Sequence, residues 1–320
     1  MFDHTAAIGA DIGRYSIRIA VVKNDGEILA ARDYPLDSYQ TRDYIAGRLY
    51  EAVRETRQIV APVGINPICI GVSAKGFVDP GSGVILGPDQ GILDWSDVPL
   101  ARMLRQETGL PVWVDNDANM MTIAEHQFGA AKGYGNVVFV SLRTGIGGGI
   151  IINGKLYRGT GNAGGEIGQM IINYGQGTSD KGIVGSWEHM ASAASVVRRY
   201  NEEAGKSYAG DAKNLSCKEI FELSKKGSGP ACLVVNENAR MVGIGLANLI
   251  SIFAPEIIVL GGGMSEAGEE YISHIRKSAE ENSLPNCRTG LRIEKARLGA
   301  SGSLVGSGYW SMLRLAGRNI

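Results

Sequence analysis

The chain has 320 residues, with 32 Lys plus Arg against 33 Asp plus Glu and a formal net charge of -1. That balance gives no electrostatic footing for nucleic acid or an anionic membrane surface, and no apolar run approaches the ~20 residues a membrane span needs. Hydrophobic residues at 44% and charged residues at 20% mark an ordinary soluble globular protein, long enough for two domains.

The N-terminus, Met1-Phe2-Asp3-His4-Thr5, has no basic start and no apolar stretch, so no secretory leader is expected. Cys69, Cys217, Cys232 and Cys287 are scattered without a CxxC or a metal spacing, as expected of free thiols in a reducing cytoplasm. Glycine is abundant, at 45 residues, and clusters in runs, which marks backbone loops rather than a periodic repeat.

Residues 6–36 read as strand, glycine loop, strand, tight turn, strand, with Asn24-Asp25-Gly26 as the hairpin signal. Arg42 to Val60 is an amphipathic helix carrying Ile45, Leu49, Ala52 and Val53 on one face. Asn66 to Asp79 reads as one apolar strand entering Lys75-Gly76-Phe77, followed by a turn at residues 79–83. Asp97 to Thr108 reads as a short helix begun by a carboxylate and Pro99.

Residues 111–115 form a short apolar strand that ends on acidic and amide side chains, and a helix follows from about Ala118 to Ala131. Residues 135–156 then repeat the opening pattern: strand 137–142, a loop Thr144-Gly145-Ile146-Gly147-Gly148-Gly149, strand 150–152, Asn153-Gly154 turn, strand. Two such segments, each feeding helix-strand units, argue for a duplicated α/β fold with a cleft between its halves. Beyond them, helices are expected over Trp187–Ala204, over Ser216–Lys226 with a Ser216/Glu219 capping box, over Pro230–Phe253, over Ser265–Asn282 and over Ser301–Leu315. Strands are expected over Pro255–Leu260, ending in Gly261-Gly262-Gly263, and over Leu291–Leu298.

Strand ends that open into helices are where α/β proteins place their chemistry, which singles out Asn116-Asp117. Asn and Asp are also the preferred helix N-caps, and the two roles can coexist. An Asp of ordinary pKa (~3.9) is a poor base; it becomes useful when a substrate hydroxyl is held in line with a clamped phosphoryl group. The two glycine loops, Asp11-Ile12-Gly13 and 144–149, suit backbone nests for anions or plain hairpin connections. Each opens a strand rather than a helix, so neither is a dinucleotide fingerprint, and no GxxxxGK[ST] occurs. Glu166, Gln169, Glu188 and Asn116 are the residue types that read sugar hydroxyls, although without the fold argument simple exposure is the better reading of Glu166 and Glu188. His189 follows Glu188, but no His pair has metal spacing.

These motifs resemble the ROK family (repressors, open reading frames and kinases) of the actin, hexokinase and heat-shock ATPase superfamily, over nearly the whole chain. The carriers are Gly9-Ala10-Asp11-Ile12-Gly13, Asp94-Trp95-Ser96-Asp97-Val98-Pro99-Leu100, Asp115-Asn116-Asp117-Ala118-Asn119, Phe128-Gly129-Ala130-Ala131-Lys132-Gly133, Thr144 to Gly149, Gly165-Glu166-Ile167-Gly168 and Leu260-Gly261-Gly262-Gly263. The resemblance implies two ribonuclease-H-like (actin-like ATPase) domains with a hinge and an interdomain cleft: residues 1–117 completed by the terminal helix 303–320, and residues 118–302. It implies ATP and Mg2+ as cofactors, a small-molecule sugar as substrate and a homodimer; a cytoplasmic location and the lack of nucleic-acid or membrane partners are expected from the cysteines, the N-terminus and the charge balance instead.

By position, the resemblance makes Asp117 the general base for phosphorylation of a primary hydroxyl of a hexose or N-acetylhexosamine. It makes Gly76, Asn116, Glu166, Gln169 and Glu188 sugar ligands. Asp11, Gly13, Thr144 and Gly145 fall to phosphate and magnesium, and Gly261, Gly262 and Gly263 to the adenosine. The departures are specific. Arg14-Tyr15-Ser16 stand where the family carries Gly-Thr-Lys, and Arg143 stands where it carries Gly; an arginine there either binds phosphate or fills the loop. Gln169, Ser179, Lys181 and Ser186 replace the His and three Cys of the family's zinc site, so no zinc is expected, and Gly91 replaces an Asn. The alternative is a non-catalytic sugar-sensing member. Family repressors carry a helix-turn-helix ahead of the first strand, and only about five residues precede it here, so DNA binding is not expected. A metal-dependent hydrolase or heat-shock-like ATPase lacks its ligand clusters and peptide-binding segment.

Overall fold

The computed structural model describes residues 5–37, 40–87, 92–175, 183–207 and 215–318. The chain divides into two compact units: Met1–Gly133 with Gly149–Gly164 and Arg297–Ile320, and Tyr134–Gly148 with Gly165–Ala296. The architecture is α/β, with two five-stranded mixed sheets.

In the first unit, β1 (Ala6–Ile12), β2 (Ser16–Lys23) and β3 (Ile28–Pro35) form the antiparallel meander that the turn residues predict. Helix α1 (Arg42–Val60) follows, capped by the Thr41 hydroxyl, with Ile45, Leu49, Ala52 and Val53 buried as its periodicity requires. The apolar stretch 66–79 is two strands rather than one, β4 (Ile70–Ala74) and β5 (Val78–Asp79). They are parted at Lys75-Gly76-Phe77, where Gly76 takes φ +83°, outside the extended region of a regular strand. β5 pairs with β6 (Val84–Ile85) across the expected turn. Helix α2 (Leu100–Thr108) starts later than the sequence suggested. Asp97, at φ +55°, lies outside it and caps nothing, and Pro99 takes the N-cap position without a side-chain bond. β7 (Val112–Asn116) then runs directly into α3 (Asp117–Phe128).

The sheet order is β3-β2-β1-β4-β7, with β1, β4 and β7 parallel. One face packs on α1 and α2 through Ile8, Ile17, Ile19, Ile70, Val72, Leu49 and Leu104. The other face packs on α3 and on the terminal helix α9 (Gly302–Leu315), through Ala20, Val22, Ala124, Leu304 and Val305. That contact is close because Gly9 and Gly71 lack side chains: a Cβ on either would lie 2.0 or 1.8 Å from an α9 carbonyl oxygen.

The second sheet has the order β10-β9-β8-β11-β12. It is built from β8 (Val137–Leu142), β9 (Ile146–Ile152), β10 (Lys155–Tyr157), β11 (Ile257–Gly261) and β12 (Arg292–Lys295). β8, β11 and β12 are parallel, and the division between units falls within β9. Helices α4 (Trp187–Ala191) and α5 (Ala193–Ser207) replace the single helix expected over 187–204. The break is Ser192, extended at ψ 168°, whose hydroxyl accepts from Ser195 N–H and starts the new helix. Helix α6 (Cys217–Lys225) carries the expected capping box. Helix α7 (Gly229–Phe253) packs on α8 (Glu269–Glu281), and Trp187 is fully buried against Gly245 with its indole N–H donating to Met241 O. Among the described residues no helix is long and apolar enough to cross a membrane.

Candidate active site

The β7–α3 junction divides two roles that the sequence left merged. Asn116 is the N-cap: its Oδ1 accepts from the N–H groups of Ala118 (2.9 Å) and Asn119 (3.2 Å). Its Nδ2 donates to Gly76 O at 3.1 Å, which ties the turn after β4 to the junction. Asp117 is the first helical residue, partly buried, with Oδ1 accepting from Ala118 N–H at 2.9 Å. A carboxylate in the first turn is favoured by the helix dipole. The capping role thus falls to Asn116, and the carboxylate expected to act as base stands beside it.

Asp11 is buried in the row of residues that cross the sheet at one register: Arg18, Asp11, Ser73 and Asp115 are successive cross-strand partners on β2, β1, β4 and β7. Arg18 Nη2 meets Asp11 Oδ2 at 2.6 Å and Ser73 Oγ donates to Oδ1 at 2.8 Å. Arg18 also donates to Ala300 O (2.6 Å) and Ser303 Oγ (3.1 Å). Asp115 pairs with Arg158 at 2.5 Å and accepts from Asn119 Nδ2 at 3.2 Å. Burial still pushes its carboxyl above the usual range, against the pull of Arg158. Neither arginine was singled out from sequence. The signal for Arg18 was available: it is the one charge inside the apolar run Ile17 to Val22, and a two-residue hairpin closing Gly13 on Ser16 sets residue 18 opposite 11.

This pairing bears on magnesium. Asp11 is the carboxylate the family pattern offers to the cation, and here each of its oxygens has a protein partner, one of them a guanidinium. A dication brought to the same carboxylate meets that fixed positive charge at close range. The donor set does not fit a metal held through Asp11, and among the described residues no group of three or more His, Cys, Asp or Glu is arranged to hold one. Of the four positions expected to stand in place of zinc ligands, Ser186 is the N-cap of α4, accepting from His189 N–H, and Gln169 is partly buried; Ser179 and Lys181, like Gly91, lie outside the described residues.

The first glycine loop is a tight hairpin in which Gly13 N–H donates to Ser16 O at 2.9 Å. Its flank opens on a hollow lined by Gly13, Arg14, Gln40, Lys75 and Trp95, with two cations and, among the described residues, no carboxylate in its wall. The second loop is shorter than the sequence suggested. β9 begins at Ile146, so Gly147, Gly148 and Gly149 lie in the strand, and only 143–145 form the turn. The strand glycines serve close packing: a Cβ at Gly148 would lie 2.2 Å from the Ile167 side chain, and one at Gly149 2.0 Å from Thr122 Oγ1.

Around that turn the second unit gathers its expected site residues. Glu188 Oε2 accepts from Ile146 N–H at 2.8 Å. Gly168 abuts Ile146 O, which brings the Glu166–Gln169 turn, closed by Gln169 N–H to Glu166 O, to the same place. Glu166 is exposed; Glu188 and Gln169 are partly buried. Gly262, at φ +90°, packs on Leu142 O and Arg143, while Gly263 faces open space. His189 lies outward of this group against Arg198, and burial first, then that arginine, lowers its pKa.

Comparison with known proteins covers nearly the whole chain. The ROK family model matches residues 7–312. A glucokinase of Halalkalibacterium halodurans is 31% identical over 310 residues, covering 94% of this chain and 93% of that protein. A xylose repressor of Caldicellulosiruptor bescii is 28% identical, covering 92% of this chain and 75% of its own length. Among solved structures, a glucokinase from Streptomyces griseus in complex with glucose and AMPPNP is 32% identical, with a TM-score of 0.81, covering 94% of this chain and 97% of that one.

Proposed function

The chain belongs to the ROK family, and from that premise we propose that it is a sugar kinase, transferring the terminal phosphoryl group of ATP to a primary hydroxyl of a hexose or N-acetylhexosamine. The observation that carries the reading is the division of labour at the β7–α3 junction, where Asn116 caps the helix and Asp117 presents a carboxylate at its first residue. Kinship with glucokinases supports it.

In this reading Asp117 accepts the hydroxyl proton as the sugar oxygen bonds to the γ-phosphorus, and the bridging oxygen departs with ADP. An aspartate contributes here through placement more than through basicity. Asn116 and the Gly76 turn, and separately Glu166, Gln169 and Glu188, hold the sugar hydroxyls. The Thr144-Gly145 turn and the Gly261 to Gly263 run take the nucleotide, and Arg14 and Arg143 supply phosphate-directed charge in place of the family's glycines.

A coupled phosphorylation assay with ATP and glucose, fructose, allose, N-acetylglucosamine and N-acetylmannosamine tests the proposal. Turnover of at least one sugar is expected. No turnover of any, together with sugar binding by calorimetry, sinks the kinase and leaves the second reading, a non-catalytic sensor of a sugar or sugar phosphate. The Asp11–Arg18 pair, which sets a fixed positive charge against the carboxylate expected to meet magnesium, favours that second reading, as does kinship with xylose repressors.

A further inference from the structure

The turn at 143–145 is held from one corner of the second unit, where α4 meets α5. Arg143 O accepts from Ala193 N–H at 2.9 Å, Thr144 O accepts from Ala194 N–H at 3.4 Å, and Ile146 N–H donates to Glu188 Oε2 at 2.8 Å. Two of these bonds are backbone to backbone and indifferent to side-chain identity. The third depends on one carboxylate, and the turn is shaped around it: a Cβ at Gly145 would lie 2.4 Å from that same Oε2. A side chain of any size at 145 and the carboxylate in its present place exclude each other.

We propose that Glu188 is a positioning residue for the phosphate-side turn as well as a sugar ligand, so that sugar and nucleotide are coupled through its two carboxylate oxygens. The inference rests on the kinase reading for the assignment of Glu188 to the sugar and of Thr144-Gly145 to the phosphates. Oε2 is committed to Ile146 N–H, and Oε1 takes the sugar hydroxyl. Each donor alters the charge the other meets, so occupancy at one oxygen changes the hold on the other. The consequence is a cross-effect: substitutions on the phosphate turn change sugar affinity, and loss of the carboxylate changes nucleotide affinity.

Gly145→Ala is the sharper test. Gly145 does not use the left-handed region, so alanine fits the backbone, and its methyl meets only the tip of a flexible side chain. The fold survives while Oε2 is displaced. The expected result is a sugar KM raised about tenfold alongside the ATP KM, within the range typical of coupled sites. Glu188→Gln keeps an oxygen for Ile146 N–H and is expected to raise the sugar KM while leaving the ATP KM within about twofold of wild type; Glu188→Ala raises both. Thermal melting checks that each variant is folded. A Gly145→Ala variant with unchanged sugar KM, or a Glu188→Ala variant with unchanged ATP KM, overturns the coupling while leaving the kinase standing. If the wild type turns over no sugar, the kinase reading fails on its own, and calorimetry with AMPPNP decides the coupling. About tenfold weaker binding to Glu188→Ala but not to Glu188→Gln supports it. Equal binding by both variants, or none by the wild type, overturns it.

Discussion

The two five-stranded sheets end differently. On the first, the penultimate residue of β1 is Asp11, and its row continues through Ser73 to Asp115, with Arg18 and Arg158 set against the two carboxylates. On the second, the corresponding residue of β8 is Ser141, and its partner on β11 is Gly261. One sheet end concentrates charge and neutralises it internally. The other carries no charge in that row, and its adjoining turn is held by helix N–H groups and Glu188. A duplicated architecture has been given unequal chemistry: fixed ionic groups close in sequence to the carboxylate proposed as base in one unit, and a backbone-shaped turn in the other.

The largest expected effect sharpens that contrast. Asp117→Asn keeps the size of the side chain and its place in the first helical turn but removes the basic oxygen. The rate of sugar phosphorylation should fall about 10²- to 10⁴-fold with the sugar KM little changed, as for loss of a general base. Thr144→Ala, on the uncharged side, should act mainly through the ATP KM. A normal rate in Asp117→Asn removes the base assignment and moves the chemistry away from the charged end.

Next in size is the ion pair. Arg18→Ala leaves Asp11 buried with Ser73 alone. Breaking a fully buried pair costs about 3–5 kcal/mol, and since Arg18 is partly exposed the loss here is expected at about 1–3 kcal/mol. Without the guanidinium, Asp11 no longer sets a fixed positive charge against a cation, so any rise in melting temperature with millimolar Mg2+ should be larger in the variant than in the wild type. An equal response in both proteins would mean that Arg18 does not keep metal from this carboxylate.

Much of this was legible in the residues. The β1–β3 meander follows from Asn24-Asp25-Gly26 and alternating burial, α1 from its 3.6-residue periodicity, and the α6 cap from Ser216 and Glu219. The glycine run at 147–149 reads as a loop in sequence because absent side chains suit both a nest and a strand under close packing, and Ile167 and Thr122, distant in sequence, decide between them. The helix break at Ser192 and the strand break at Gly76 turn on single backbone angles that a serine and a glycine permit without announcing. At the site, the importance of Asn116-Asp117 was visible, but which of the two caps the helix was a matter of one residue of register. Arg18 could be paired with Asp11 by hairpin counting; Arg158 and Asp115, 43 residues apart, carry no local signal of their bond.

The smallest expected effect concerns that register. Asn116 does two things: its oxygen caps α3 and its amide nitrogen holds Gly76 O. Asn116→Ala removes both, and loss of an N-cap typically costs about 1 kcal/mol. Asn116→Asp retains an acceptor for Ala118 and Asn119 N–H, and a carboxylate at a helix N-terminus is favoured, yet it has no donor for Gly76. The two variants should therefore part company. Melting should fall for alanine and hold for aspartate, while the sugar KM rises in both because the Gly76 turn has lost its tether. Equal destabilisation of the two would transfer the stabilising role from the cap to the Gly76 bond. The first unit's junction would then be held, like the turn of the second, by a side chain gripping backbone rather than by a cap on its own helix.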